Sequence, residues 1–505
     1  MANVITIKKG LDINLKGKAS ETMLNAGKSA SYAIVPDYYT GILPKVLVRP
    51  GDKVKAGSAL MVDKNRPEIK FVSPVSGEVA AVNRGEKRKV LSIVVTPDAQ
   101  IEYEDFGKKN VASLKAEEVK ETLLNAGMWP FIKQRPYDIV ASPADEPRDI
   151  FVSAFYSAPL APNFDFVVKG QDVDFQTGLD ALAKLTDGKV YVGIRKGSSV
   201  SVKGVETVEV EGPHPAANVG VQINHIKPIN KGEVVWTVNP ADVIVIGRLF
   251  NKGIADFSRL VVITGSETTE RGYVKAIAGC TIASLVDGKI MRGNEDIRII
   301  SGNVLTGTKV EKNDYLGAYD NQITVIPEGD ETHDFFGWAT PGFGKFSVSH
   351  SFPAWLMGKN KEYVIDARIK GGKRAMIMSN GLLSYQRTMT GAELKETLRT
   401  FVEGCEGGFN PFNRGSLPVV SGIAIQVEEN DGNYKLIGVT RNGKPLQDDD
   451  TVTVTCLAME EHMTPLLQDE ARGFERGEDT VKNFWSKALS DGSVVLATPE
   501  NYITL

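Results

Sequence analysis

The chain has 505 residues, of which 42% are hydrophobic and 24% charged; this is the balance of an ordinary globular protein, and the length exceeds what one core serves, so several domains are expected. A formal net charge of −4 excludes a general electrostatic hold on nucleic acid or anionic lipid. No apolar run approaches the roughly 18 residues that cross a bilayer, and the opening MANVITIKKG lacks the apolar core of a signal peptide, which leads to a cytoplasmic expectation.

In chain order, a strand-like VITI and the turn Lys9–Ile13 come first. From Val35 a run punctuated by Pro50-Gly51 and Ala56-Gly57 alternates apolar and polar residues and predicts short antiparallel strands, with Phe71–Gly77 as the returning half. Lys64 lies near the tip of the central hairpin, where a carrier domain would present an acylated lysine. Arg66, Pro67 and Glu68 fill that hairpin with bulky residues, so a structural domain without an attached group is the preferred reading. Residues 1–105 form this first unit.

Residues 106–255 form the second. Val119, Leu123 and Ala126 share one face of a helix over 117–126 that Gly127 stops. A strand at 150–155, a helix at 175–185 and a strand at 190–194 predict a βαβ crossover. The stretch Gly212–Phe250 is read as a proline-broken loop carrying His214 and His225, then a strand pair ending in Val243-Ile244-Val245-Ile246, four β-branched residues that suit a strand buried on both faces.

Between the first helix and strand lies the loop Gly127–Tyr137. Trp129, Phe131 and Tyr137 with Lys133 and Arg135 can flank a planar, weakly polar head group such as a quinone, or the rings can serve as plain core packing. The same loop lacks the glycines of a phosphate cradle, so no FMN is expected there. No G-x-G-x-x-G occurs either, Gly342–Ser347 being a near miss, so NADH binding by this chain alone is not expected. His214 and His225 have no zinc-ligand spacing; they are read as loop-positioning residues, with proton relay to a reduced quinone as the alternative that the spacing does not demand. His333 and His350 are read as structural or exposed. Cys280, Cys405 and Cys456 stand far apart with no C-x-x-C pair, which excludes a self-contained four-cysteine metal or iron–sulfur site and fits a reducing compartment.

The wording of GPHPAANVGVQINHIKPINKGEVVWTVNPADVIVIGRLF, together with the turn at 9–13 and blocks such as Asp314–Tyr319 and Phe335–Trp338, resembles the A-subunit family of Na+-translocating NADH:quinone oxidoreductases over about the first 380 residues. The resemblance implies a biotinyl/lipoyl-like β hammerhead at 1–105, a Rossmann-like α/β domain related to the flavin subunit of complex I at 106–255, a β-grasp module at 256–312 and a connecting region at 313–380. It implies a peripheral subunit on the cytoplasmic face of the membrane, with no prosthetic group of its own, quinone as substrate, flavins and iron centres in partner subunits, and its main contact with the membrane flavin subunit. Trp129, Phe131, Lys133, Arg135, Tyr137, His214 and His225 are then the quinone-proximal candidates; the competing reading is that Trp129 and Phe131 simply plug the vacated flavin cavity while Lys133 and Arg135 are solvated.

Past Gly381 the wording changes. Thr390 and Glu393 form a capping box for a helix with Leu394, Leu398 and Phe401 on one face, followed by a strand at 417–427, an Asn442-Gly443 hairpin and a strand at 451–455. Residues 381–505 resemble the α+β carboxyl-terminal domain of 5′-nucleotidases. That implies nucleoside binding, with Phe409, Phe412 and Phe474 as available aromatics, but no phosphatase activity, because the dimetal motifs are missing. The whole is therefore expected to be an α+β and α/β multidomain chain.

Overall fold

The computed structural model describes residues 3–291, 297–329 and 361–367, then 383–403, 423–430, 433–441, 444–458, 475–480 and 503–504. The chain divides into two compact units, Met1–Arg368 and Ile369–Leu505.

The first unit opens with a sandwich of two small sheets. One orders the strands Tyr32–Ile34, Val90–Pro97, Gly77–Arg84 and Lys53–Val54; the other orders Pro44–Val46, Ala59–Asp63 and Lys70–Val72. Alternate inward residues, among them Leu60, Phe71, Val79, Ile93 and Val95, are buried between them. The hairpin at 63–70 folds back onto the body instead of standing out. Arg66 pairs with the buried Asp63 carboxylate at 2.7 Å and donates to the carbonyls of Gly41 and Val140 at 3.0 and 3.2 Å. The backbone N–H of the exposed Lys64 is taken by the carbonyl of Leu43.

The α/β portion is a seven-stranded sheet. Its order is Asn3–Thr6, Glu206–Glu211, Val190–Arg195, Ile150–Ser153, Val235–Thr237, Lys133–Arg135 and Ile139–Val140. The first five run parallel and the last two are antiparallel additions. Its helices are α1 (Ala116–Asn125), α2 (Phe164–Val168), α3 (Asp172–Ala183), α4 (Val219–Ile226) and α5 (Pro240–Lys252). The expected βαβ unit is present: α3 joins the parallel neighbours 150–153 and 190–195.

Two expectations are corrected here. Val243–Ile246 is not a strand but the middle of α5, whose residues from Pro240 to Phe250 are all buried. A helix enclosed on every side is apolar all round and has the same short apolar run as a buried strand. Asn239-Pro240 before it and Gly253 after it, at φ 75° with its N–H on the carbonyl of Leu249, are helix start and stop signals that decide the matter. Likewise the supposed loop after His214 contains α4, and His225 sits in its last turn. Helices α3 and α5 touch backbone to backbone, because Gly178 and Gly247 leave no side chain between them; a Cβ on Gly247 would lie 1.7 Å from the carbonyl oxygen of Asp174.

The next sheet orders Gly272–Ile277, Ser258–Thr264, Gln322–Pro327, Ile297–Ser301 and Thr308–Val310. The short helix Ile282–Val286 shares its core with Val261, Ile263, Ile299, Ile323 and Val325. The central strand, Gln322–Pro327, comes from the segment expected to be a connector.

In the second unit the capping box is present. The N–H of Thr390 donates to the Glu393 carboxylate at 2.7 Å, and the N–H of Glu393 donates to the Thr390 hydroxyl at 3.3 Å. The helix Gly391–Glu403 buries Leu394, Leu398 and Val402 against Ile425, Val427, Leu436 and Val439 of the antiparallel pair Ala424–Asn430 and Asn433–Arg441. Arg441 pairs with Lys444 as a two-residue hairpin demands, although Asn442 and Gly443 themselves lie outside the described residues. Thr451–Ala458 forms a strand, as expected for 451–455, antiparallel to Leu383–Thr390. Phe409, Phe412, Phe474, His333, His350, Gly342–Ser347 and the side chain of Phe401 are also outside the described residues.

Candidate functional site at the carboxyl edge of the parallel sheet

Five parallel strands end on one edge, and the strand order reverses around Ile150–Ser153, so the crevice beyond that strand and Val235–Thr237 is where open α/β sheets hold ligands. Here α5 begins immediately after Val235–Thr237 and brings Asp242 to the crevice. Arg259, from the first strand of the following sheet, meets it with a nitrogen–oxygen separation of 3.0 Å; the two side chains are 2% and 0% exposed. The approach is misaligned, so this is an ion pair without a well-directed hydrogen bond: the Asp242 Oδ1 and the Arg259 Nε, Nη1 and Nη2 all lack an aligned partner among the described residues. Burial, the largest influence, pushes the Asp242 carboxyl above its ordinary pKa although Arg259 pulls the other way.

Aromatic and polar groups close around the pair. The guanidinium carbon of Arg259 lies 5.7 Å from the centre of the Phe131 ring, and the Lys133 ammonium lies 4.0 Å over the Tyr319 ring. Tyr319 donates to the carbonyl of Pro130 at 2.7 Å, Asn321 donates to the Tyr156 hydroxyl at 2.5 Å, and Ser301 donates to the Asp320 carboxylate at 2.6 Å. Burial raises the pKa of Asp320 and of the phenols Tyr39, Tyr156 and Tyr319, so all three tyrosines stay protonated donors at neutral pH.

The turn at 128–131 forms one wall. Trp129 is fully buried, donates its indole N–H to the carbonyl of Ala141 at 2.8 Å and packs edge-on against Trp236 at 5.4 Å. The backbone N–H groups of Gly127, Met128, Phe131 and Ile132 are consumed by carbonyls at 124, 123, 128 and 129, which leaves them unable to cradle a phosphate. A cavity of about 30 Å³ between this turn and the first domain is lined by Tyr39, Phe71, Pro130, Phe131 and Phe257 among others; it has room for water and not for a ring.

The sequence-derived candidates are only partly brought together. Phe131 and Lys133 share the neighbourhood of the ion pair; Lys133 and Arg135 both approach Asp138, at 3.9 and 3.3 Å, and Tyr137 is 36% exposed beside them. His214 also lies on the carboxyl edge, but beyond the strand 206–211, four strands from Lys133, or roughly 19 Å at ~4.8 Å per strand. There its ring contacts the Ser157 hydroxyl at 3.0 Å, while its N–H and carbonyl hold Asp12 and Leu11 of the amino-terminal segment. His225 ends α4, which returns to the amino edge marked by the Lys227–Asp149 ion pair. Neither histidine belongs to the cluster.

Arg259, Asp242 and Tyr319 were absent from the sequence-derived set. For Arg259 and Asp242 the signal was a charged residue inside each of two largely apolar runs, SRLVVIT and ADVIVIG, since such residues are almost never buried unless paired; Tyr319 carried no such signal. Among the described residues no group of three or more His, Cys, Asp or Glu can hold a metal, and no helix is long and apolar enough to cross a membrane.

Burial is the main influence that lowers the pKa of His214 below 6.5, with the Asp12 carboxylate opposing it. The folded state therefore favours the neutral ring, and the associated stability is full above the unfolded pKa and lost as pH falls through about 6.5 and below. Melting temperatures of the wild type are expected to fall more steeply on acidification than those of His214→Gln; equal slopes in the two proteins would show that His214 contributes nothing.

Comparison with known proteins matches residues 5–98 to the NqrA N-terminal barrel-sandwich hybrid domain, 114–255 to the NqrA second alpha/beta domain and 260–312 to the NQRA C-terminal domain. The A-subunit of the Na(+)-translocating NADH-quinone reductase of Neisseria meningitidis serogroup A is 35% identical over 76% of this chain and 86% of its own length. The chain belongs to that NqrA family. The corresponding reductase subunits of Yersinia pestis bv. Antiqua and Vibrio vulnificus are 36% and 38% identical, over 76% and 74% of this chain and 86% and 84% of their own. A solved NAD+-reducing [NiFe]-hydrogenase aligns with 43% of this chain and 50% of its own at 11% identity and TM-score 0.29, which carries no argument about either fold or function. The three matched domains of this NqrA family member end at residue 312, and residues 381–505 lie outside them.

Proposed function

We propose that this chain is the peripheral NqrA component of a Na+-translocating NADH:quinone oxidoreductase. In this reading it takes part in quinone interaction on the cytoplasmic face and docks on the membrane-embedded flavin subunit, while flavins and iron centres reside in its partners. The supporting observation is the aromatic and cationic cluster at the carboxyl edge of the parallel sheet, in which Phe131, Lys133, Tyr319 and Arg259 gather apolar rings and hydrogen-bond donors where α/β sheets receive ligands. Trp129, bonded at both its ring and its flanking backbone, acts as the rigid back of this wall. The nucleoside-binding reading of residues 381–505 rests on resemblance alone.

The test is a pull-down of the full chain against detergent-solubilised membrane subunits of the quinone reductase, beside a form ending at Asn380. Both forms are expected to be captured. Capture of neither would remove the proposed role in the complex, and capture of the shorter form alone would make the last 125 residues an obstacle to assembly.

A further inference from the structure

Arg259 carries three nitrogens without an aligned acceptor although its side chain is only 2% exposed. Buried donors are ordinarily satisfied, and an unsatisfied charged one is costly, so its surroundings are short of an acceptor. The neighbouring cations are less deprived: Arg135 faces Asp138 at 3.3 Å and leaves only its Nε without an aligned partner, whereas all three nitrogens of Arg259 lack one, and Lys133 is engaged by Asp138 and the Tyr319 ring. Asp242 already balances the charge of Arg259, and Asp320 lies within its electrostatic reach, so an added anion would meet two carboxyl groups. A neutral acceptor, such as a carbonyl oxygen, is favoured over a phosphate or carboxylate. Phe131 lies between the guanidinium and the 30 Å³ cavity, because its ring stands against Arg259 and also lines that cavity. A planar ring can reach Arg259 from that cavity only when the Phe131 ring turns aside, which would add the volume the cavity lacks.

We propose that Arg259 donates a hydrogen bond to a carbonyl oxygen of the quinone head group, with Asp242 as the positioning residue that holds the guanidinium and Phe131 as the ring the head group displaces and then packs against. This rests on the quinone reading above.

The experiment is equilibrium dialysis of the full chain with a radiolabelled, water-soluble benzoquinone bearing one isoprene unit. The wild type is expected to bind, Arg259→Gln to bind about tenfold or more weakly, as loss of a charged hydrogen bond predicts, and Arg259→Lys to recover part of the loss. Equal affinity of wild type and Arg259→Gln would overturn the assignment to Arg259 and leave the quinone reading standing. No binding by the wild type would remove the quinone reading and this assignment with it. Because Arg259→Gln strands the Asp242 carboxyl, the double variant Asp242→Asn/Arg259→Gln is measured beside it. Infrared spectra of carbonyl-¹³C quinone on the unmutated chain provide a second readout: one C=O stretch is expected below its frequency in detergent micelles, and an unshifted pair would reject the hydrogen bond whatever the variants do.

Discussion

Trp129→Ala is expected to lower the unfolding free energy of the first unit by about 3–5 kcal/mol, the range for removing a large aromatic from a packed core. The reason lies in what the indole does. It is fully buried, it meets Trp236 edge-on, and its N–H satisfies the carbonyl of Ala141, so its removal leaves a cavity and an orphaned acceptor at once. Trp129→Phe, which keeps most of the packing, is expected to fall between the two. Urea denaturation followed by far-ultraviolet circular dichroism measures the difference. A loss below about 1 kcal/mol for the alanine variant would mean that Trp129 is not the rigid back of the site, and the proposed geometry around Phe131 would lose its support.

Gly247→Ala is expected to cost at least as much as the upper end of the usual range of about 1–3 kcal/mol for overpacking, an unusual outcome for exchanging glycine for the best helix former. The new methyl would sit 1.7 Å from the Asp174 carbonyl oxygen and 2.7 Å from the Gly178 nitrogen. Both are backbone atoms that cannot rotate away, so α3 and α5 must separate along their length. Gly220 in α4 is the control, since a Cβ there meets nothing within 4 Å; Gly220→Ala is expected to be neutral or to stabilise by up to about 1 kcal/mol. The same denaturation experiment decides between them. Similar values for the two variants would show that the α3–α5 contact is looser than its geometry implies.

Much of the architecture was readable in advance where a pattern had a single physical meaning. Val119 and Leu123 followed by Gly127 specified α1, and Thr390 with Glu393 specified the start of the helix at 391–403, because caps and periodicity are local properties. Val243–Ile246 misled because a fully enclosed helix and a fully enclosed strand share the same apolar text, and the deciding marks lay outside the run at Pro240 and Gly253. The site was half legible. Phe131 and Lys133 stood out as neighbours in one loop, whereas Arg259 and Asp242 are 17 positions apart on different elements and are joined only by the packing of one domain on the next. His214 and His225 were grouped by sequence proximity, which a helix of eight residues was enough to undo.

The middle strand of the five-stranded sheet, Gln322–Pro327, is the last of its five to be synthesised. Before it arrives, Ser258–Thr264 with Gly272–Ile277 and Ile297–Ser301 with Thr308–Val310 are two separate hairpins, each with an open, hydrogen-bonding edge turned toward the gap. A fragment cut at residue 312 therefore carries two sticky half-sheets instead of a transplantable module. During translation the same gap persists until Pro327 has left the ribosome, so this region depends on its downstream sequence for solubility as well as for shape.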